Sequence, residues 1–284
     1  MRPDLTEREH RLFSEWLSEK FGLCFGPEKR DILRSRLEPV RVELSFDSFE
    51  QLYFHLKFHP SREKEWERLI PHLTNNESYF FREEGQLEAF RDEVLPALRD
   101  RGRERDRHEI RVLSAGCASG EEAYTLAMLV KESGLFPAPW RVFVTGMDLD
   151  PEAIARARAA RYTANAFRRI DDRTRERHFT RVEDGVWELK PEIREMVEFT
   201  RANLVDPSWP RKMPPQDAIF CRNVLIYFDQ QAMRTAVDSL YRALRPGGWL
   251  FLGHAESLSR VPTRLVHERR PGAIFYRRPE DGNG

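Results

Sequence analysis

The 284-residue chain carries no net charge, because 47 lysines and arginines balance 47 aspartates and glutamates. That excludes bulk electrostatic capture of nucleic acid, although a local basic face stays open. Cysteine is scarce. Cys24, Cys117 and Cys221 stand far apart with no metal-ligand spacing, which argues against a disulfide framework and fits a reducing cytoplasm. Long hydrophobic runs are missing as well. None approaches the roughly 18 residues that a membrane span needs, and the opening MRPDLTEREHR has no apolar signal core. A cytoplasmic protein is expected, with no nucleic-acid partner and no direct membrane insertion. What the chain does have is 40% hydrophobic residues, enough for two domain cores by length.

Residues 1–74 read as helices only. Leu5, Leu12, Phe13, Trp16, Leu17 and Phe21 recur at helical spacing, with Gly22 as a stop. A second helix is predicted near Glu28 to Leu44, where Pro39 should kink or split it. A third carries Phe49, Leu52, Tyr53 and Leu56, and a fourth starts at Glu63 and should end or bend near Pro71. After the link TNNESYFFRE, a helix is expected over Glu84–Leu98 and a surface loop over Asp100–Glu109. From Ile110 strands alternate with helices: Arg111–Ala115, Val142–Met147, Val197–Thr200, Asp217–Cys221, Trp249–Gly253 and Ala273–Tyr276 against helices at Glu121–Glu132, Pro151–Ala159 and Gln230–Leu244. That alternation predicts an α/β domain over 75–284, a parallel sheet covered on both faces, with a ligand at the carboxyl ends of its strands. A hairpin insertion is expected near 161–195, around Asp184-Gly185.

The stretch IRVLSAGCASGEEAYTLAM is the most informative. A short apolar strand enters a glycine turn and leaves as a helix, which builds a ligand cradle. Glu121 and Glu122 follow the turn at once. They would repel a pyrophosphate and suit an ammonium or sulfonium. Asp148 ends the second strand, where a carboxylate can accept from both ribose hydroxyls; the same residue, with Asp150 and Pro151, could instead cap the next helix. FCRNVLIYFD delivers Arg222 and Asn223 to the ligand edge. Asn76, Ser78 and Arg82 place an amide, a hydroxyl and a guanidinium on the interdomain link, with Phe80 and Phe81 as packing. His55 and His59 have a metal-compatible spacing, but no third ligand is evident and no metal is expected.

Taken together, NNESYFFRE, SAGCASGEEAYTLAM, DLDPEAIARARAARY, FCRNVLIYFD and LRPGGWLFLGHAESL resemble the chemotaxis receptor methyltransferases, the CheR family, in the family's order and over nearly the whole chain. The resemblance implies a class I S-adenosylmethionine-dependent methyltransferase: a Rossmann-like parallel sheet, a small all-helical N-terminal domain and a β-hairpin insertion. Asn76, Ser78 and Arg82 would touch S-adenosylmethionine from the link, Glu122 would hold its methionine ammonium and Asp148 its ribose. Asn203, Leu204, Arg222 and Asn223 would line the adenine and methionine side, Tyr227 would sit close to the transferring methyl, and Arg82 would face either the cofactor's carboxylate or the methyl-transfer centre. The implied reaction esterifies glutamate side chains of a chemoreceptor's cytoplasmic helical bundle and leaves S-adenosylhomocysteine. Departures from the family pattern are Ser78 for threonine, Ala123 for proline, and fewer arginines on the second helix. The hairpin sequence differs too.

A glutamate acceptor has a solution pKa of about 4.3, so it arrives as a carboxylate and needs no general base. Two other readings remain at this stage: methyl transfer to a different substrate, and a non-catalytic module that binds S-adenosylmethionine or its demethylated product as a signal. A dinucleotide oxidoreductase is disfavoured by the acidic pair after the turn.

Overall fold

A computed structural model describes residues 3–270 and 273–280. The helical domain is built from α1 (Glu7–Phe21), α2 (Arg30–Glu43), α3 (Phe49–Phe58) and α4 (Arg62–Leu73). Thr6 and Glu9 close a reciprocal capping box at the start of α1, satisfying amides that the first turn leaves open. Phe13, Trp16 and Leu17 of α1, Leu33 and Leu37 of α2, Leu52 and Leu56 of α3, and Trp66 and Leu69 of α4 share one buried core. Pro39 lies inside α2 without splitting it, whereas α4 ends at Leu73, two residues past Pro71, as its sequence suggests.

Gly22 ends α1 with φ +75, a backbone region that costs an L-residue about 1–2 kcal/mol. A Cβ there would stand 2.8 Å from Val205 and 3.0 Å from Ala232, both in the second domain. Gly22→Ala is therefore expected to lose about 2–3 kcal/mol, read as a lower denaturant midpoint at unchanged slope.

Beyond the link, α5 (Glu84–Ala89) passes through a π-helical turn at Phe90–Val94 into α6 (Leu95–Glu104). The helix thus consumes half of the expected Asp100–Glu109 loop. Tertiary contacts hold it there: Arg101 donates to the Gly247 carbonyl at 2.9 Å and covers the Trp249 ring, while Gly102 seats against Trp140.

The rest of the chain runs β1 (Glu109–Ala115), α7 (Glu121–Ser133), β2 (Arg141–Asp148), α8 (Pro151–Ala159), β3 (Arg161–Thr163), α9 (Asp172–His178), β4 (Phe179–Glu183), β5 (Val186–Leu189), α10 (Pro191–Arg194), β6 (Val197–Arg201), β7 (Gln216–Cys221), α11 (Gln230–Ala243), β8 (Leu244–Leu252), β9 (Val266–Arg270) and β10 (Ala273–Arg277). Seven strands form one sheet in the order β6-β2-β1-β7-β8-β10-β9. The first five are parallel; β10 and β9 are antiparallel additions at one edge, and β9 was not anticipated. Strand order reverses at β1. The chain builds outward through β2 and β6 and returns to β7 on the other flank, which opens a crevice at the carboxyl ends of β1, β2 and β7.

The insertion is a three-stranded antiparallel sheet, β3-β5-β4, where a two-stranded hairpin was expected. Its third strand comes from Arg161–Thr163, a run too short to carry an alternation signal, which pairs with Val186–Glu188. Phe80 of the link anchors this sheet, stacking on Phe167 and meeting Tyr162 and Phe179 edge-on. No helix among the described residues is long and apolar enough to cross a membrane.

Candidate active site

The strand–turn–helix cradle forms as the sequence suggests. The amides of Gly116 and Cys117 both donate to the Met147 carbonyl, at 2.7 and 3.0 Å, tying the turn to the end of β2. A Cβ on Gly116 would stand 2.3 Å from Val224, so a side chain there would push against the β7 turn. The two acids near the end of β2 divide their labour. Asp150 caps α8, accepting from the amides of Glu152 and Ala153 at 2.8 and 3.2 Å. Asp148 faces the crevice, with one oxygen on the Ala118 amide at 2.8 Å and the other on the Asp150 amide at 2.9 Å. Burial pushes the Asp148 carboxyl up, and those backbone donors oppose the shift. With one protein donor on each oxygen, lone pairs remain for further hydroxyl donors.

The acidic pair after the turn is not a simple anionic patch. Only Glu122 lines the crevice. Its carboxylate accepts from Ser114 Oγ at 2.7 Å and pairs with Arg222 at 3.1 Å. Burial pushes the Glu122 carboxyl up, against the pull of the Arg222 guanidinium. Arg222 also pairs with Glu83 at 3.2 Å and donates to the Arg82 carbonyl at 2.5 Å. Glu83 loses solvation on burial, yet Arg222 and bonds from His254 and Asn223 outweigh that and hold its carboxyl below the usual range. One buried guanidinium thus sits between two carboxylates at the ligand edge, where the sequence placed Arg222 and Asn223 without these partners.

Glu121 turns the other way and is buried. Desolvation pushes its carboxyl up to about 7 against the opposing effect of the Ser78 hydroxyl, and its Oε2 has no hydrogen-bond partner. A carboxyl raised on folding binds its proton more tightly in the folded chain. Its stabilising contribution is complete below about pH 4.5 and is lost as pH rises toward 7, by on the order of 3 kcal/mol. Glu121→Gln should flatten this part of the stability–pH curve between pH 5 and 7.5, measured by denaturant titration; an unchanged slope would leave Glu121 out of it.

Asn223, at the turn after β7, adopts φ +59. Its side-chain amide donates to Glu83 at 3.3 Å, which leaves Oδ1 buried without a partner in the crevice wall. Glu256 holds this turn in place and was missed by sequence reasoning. Its carboxylate accepts from the amides of Asn223, Val224, Ile226 and Gly253 at 2.8, 2.9, 3.3 and 2.7 Å. The only sequence signal was its place inside the LRPGGWLFLGHAESL motif.

The crevice encloses about 1070 Å³ including its open mouth, and all ten residues singled out from the sequence line it. Several have structural ties as well. Asn76 donates to Asp150 at 2.6 Å, with Thr74 on the same oxygen at 3.1 Å, which joins the link to α8. Asn203 donates to the Lys20 carbonyl at 2.9 Å. The Leu204 carbonyl accepts from Trp209 at 3.4 Å. Tyr227 accepts from the Asn75 amide at 3.1 Å, and its carbonyl receives the Cys24 amide at 2.8 Å. Arg82 donates to the Glu77 carbonyl at 3.1 Å and lies against Tyr79, but pairs with no carboxylate among the described residues. Phe21, Leu23 and Leu73 of the helical domain add an apolar wall that the sequence motifs did not reveal.

A parallel sheet with this turn, a buried acid in the first turn of the helix that follows it and an acid ending the second strand defines a class I S-adenosylmethionine-dependent methyltransferase. The crevice suits that cofactor: a buried acid for an ammonium and a backbone-held acid for hydroxyls. Residues 76–272 match the family model described as CheR methyltransferase, SAM binding domain, and residues 8–74 match CheR methyltransferase, all-alpha domain. The chain belongs to the CheR methyltransferase family, and its cofactor is S-adenosylmethionine. It is 35% identical to chemotaxis protein methyltransferase 2 of Vibrio cholerae over 98% of this chain and 95% of that one. It is 32% identical to the chemotaxis protein methyltransferase of Escherichia coli, covering 92% and 88% of the two chains. Against chemotaxis protein methyltransferase 1 of Pseudomonas aeruginosa, identity is 31% over 95% and 97%.

Proposed function

We propose that this methyltransferase esterifies glutamate side chains on the cytoplasmic helical bundle of a chemoreceptor, acting in the cytoplasm and releasing S-adenosylhomocysteine. The observation that carries the reading is the crevice's lack of a free base. Among its described lining residues there is no histidine, lysine or cysteine. Of its three carboxylates, Glu122 is tied to Arg222, Asp148 to two amides, and Glu77 to Arg168 at 2.8 Å. An alcohol would need one of them to take its proton during transfer, and an ammonium would have to give one up before it could attack. A glutamate carboxylate needs none, since it is already ionised at neutral pH.

Bound S-adenosylmethionine supplies a methyl group on positively charged sulfur. The chain's own part is to bind, align and exclude water. Glu122 is assigned to the ammonium, Asp148 to the ribose hydroxyls, and Asn76, Ser78, Asn203, Leu204, Arg222 and Asn223 to the surrounding wall. Arg82 is the guanidinium free to orient an incoming carboxylate. Its bond to a backbone carbonyl restrains it without neutralising it. Tyr227, whose hydroxyl is positioned by Asn75, would flank the acceptor.

Arg82→Ala is expected to lower methyl transfer to purified receptor cytoplasmic fragments roughly 100-fold, the value of one or two charge-assisted hydrogen bonds. S-adenosylhomocysteine affinity, measured in parallel, separates orientation of the acceptor from cofactor binding. The product should be base-labile esters on glutamate. Base-stable methylation, or unchanged turnover in the variant, would overturn the assignment.

A further inference from the structure

The helical domain carries a cluster that the methyl-transfer site does not use. His55 lies in the last turn of α3 and His59 caps that helix four residues on, and the fold brings Glu65 of α4 against them. One ligand atom from each falls within 4.8 Å of the other two. His55 Nε2 and Glu65 Oε2 are 3.8 Å apart, and both atoms are buried with no hydrogen-bond partner. Buried polar atoms are rarely left that way, and an ion or water is the usual explanation. Arg68 does not satisfy Glu65: its Nε stays 3.7 Å away, and its other end is drawn to Glu43.

We propose that His55, His59 and Glu65 bind a zinc-class divalent cation that staples α3 to α4. Two imidazoles and one carboxylate, with water in the fourth position, are a donor set suited to zinc and its neighbours. Ligand atoms around tetrahedral zinc lie about 3.3–3.5 Å apart, so the 3.8 Å His55–Glu65 separation needs little closure. His59 has the larger adjustment to make. Its Nδ1 accepts from the Ser61 amide at 3.1 Å, and ligation through that nitrogen exchanges this bond for the metal. The rings of His55 and His59 already lie with centroids 4.4 Å apart, tilted by 35°, so His59 stays within reach.

The test titrates the full chain, free of any purification tag, with Zn²⁺ in a calorimeter and with Co²⁺ by visible absorption. A Cys24→Ser background removes the exposed thiol as a competing ligand. One equivalent should bind, and Zn²⁺ should raise the thermal midpoint. His55→Gln, His59→Gln and Glu65→Gln should each weaken binding by roughly 10- to 100-fold or more and abolish the midpoint shift. His59→Gln is the decisive variant if His55→Gln disturbs packing, because His59 stands just beyond the last turn of α3. Absence of saturable binding, or binding that survives all three substitutions, would overturn the proposal.

Discussion

Arg222→Ala is expected to cost about 3–5 kcal/mol of stability, the largest single effect of any substitution considered for this chain. The Arg222 side chain is only 2% exposed and lies between Glu122 and Glu83. Its removal leaves two carboxylates in a poorly solvated pocket with no cation between them, and it also frees the Arg82 carbonyl. Leaving one buried charge unpaired is far more costly than never having built the pair. Two further readouts follow. The deficit should shrink as pH falls through the carboxylate range, because the orphaned acids then take up protons. Adding Glu122→Gln should restore part of the loss. Denaturant midpoints for the two single variants and the double variant, at pH 5 and pH 7.5, measure both effects. Additive losses in that cycle would contradict the coupling.

Asp148→Ala should weaken S-adenosylhomocysteine binding by about 2–3 kcal/mol, or roughly 30- to 150-fold. The expected loss is that of two charge-assisted hydrogen bonds from a ribose to one carboxylate. The two backbone amides that Asp148 holds, those of Ala118 and Asp150, would also lose their acceptor, so the glycine turn loosens with it. Asp148→Asn separates these contributions, since it keeps the shape of the side chain but replaces one acceptor by a donor. Calorimetry on both variants, with far-UV circular dichroism to verify folding, gives the answer. Unchanged affinity in both would remove Asp148 from the ribose role. Asp150 serves as an internal control of another kind. It caps α8 and ties down the link through Thr74 and Asn76, so its loss should reduce stability first.

The helices and most strands were legible because their cause is local. Phe13, Trp16 and Leu17 recur at a helical period, and Asp217–Cys221 is an apolar run bounded by turn residues, so each segment announces its own buried face. The motifs in their order also brought the family into view, with its α/β sheet and small helical domain. Where local signal was weak, the reading failed. Three residues of β3 cannot show an alternation, and α6 runs into a charged stretch because Trp249 and Trp140 receive it. Pro39 was read by its intrinsic preference, which packing of the four-helix core overrides, whereas α4 does end two residues past Pro71.

By itself, then, the sequence determined the two kinds of architecture, the turn that cradles a ligand, and which side chains were candidates to surround it. Only the tertiary structure decided what those side chains face: Glu122 toward the crevice and Glu121 away from it, Asp150 on a helix end and Asp148 at the ligand wall. It also supplied Glu256 beneath the Asn223 turn and Glu65 beside two histidines. The physical reason is range. Periodicity and turn chemistry act over a few residues, whereas burial and charge pairing join positions as distant as Glu122 and Arg222, 100 residues apart, and exist only once the chain has folded.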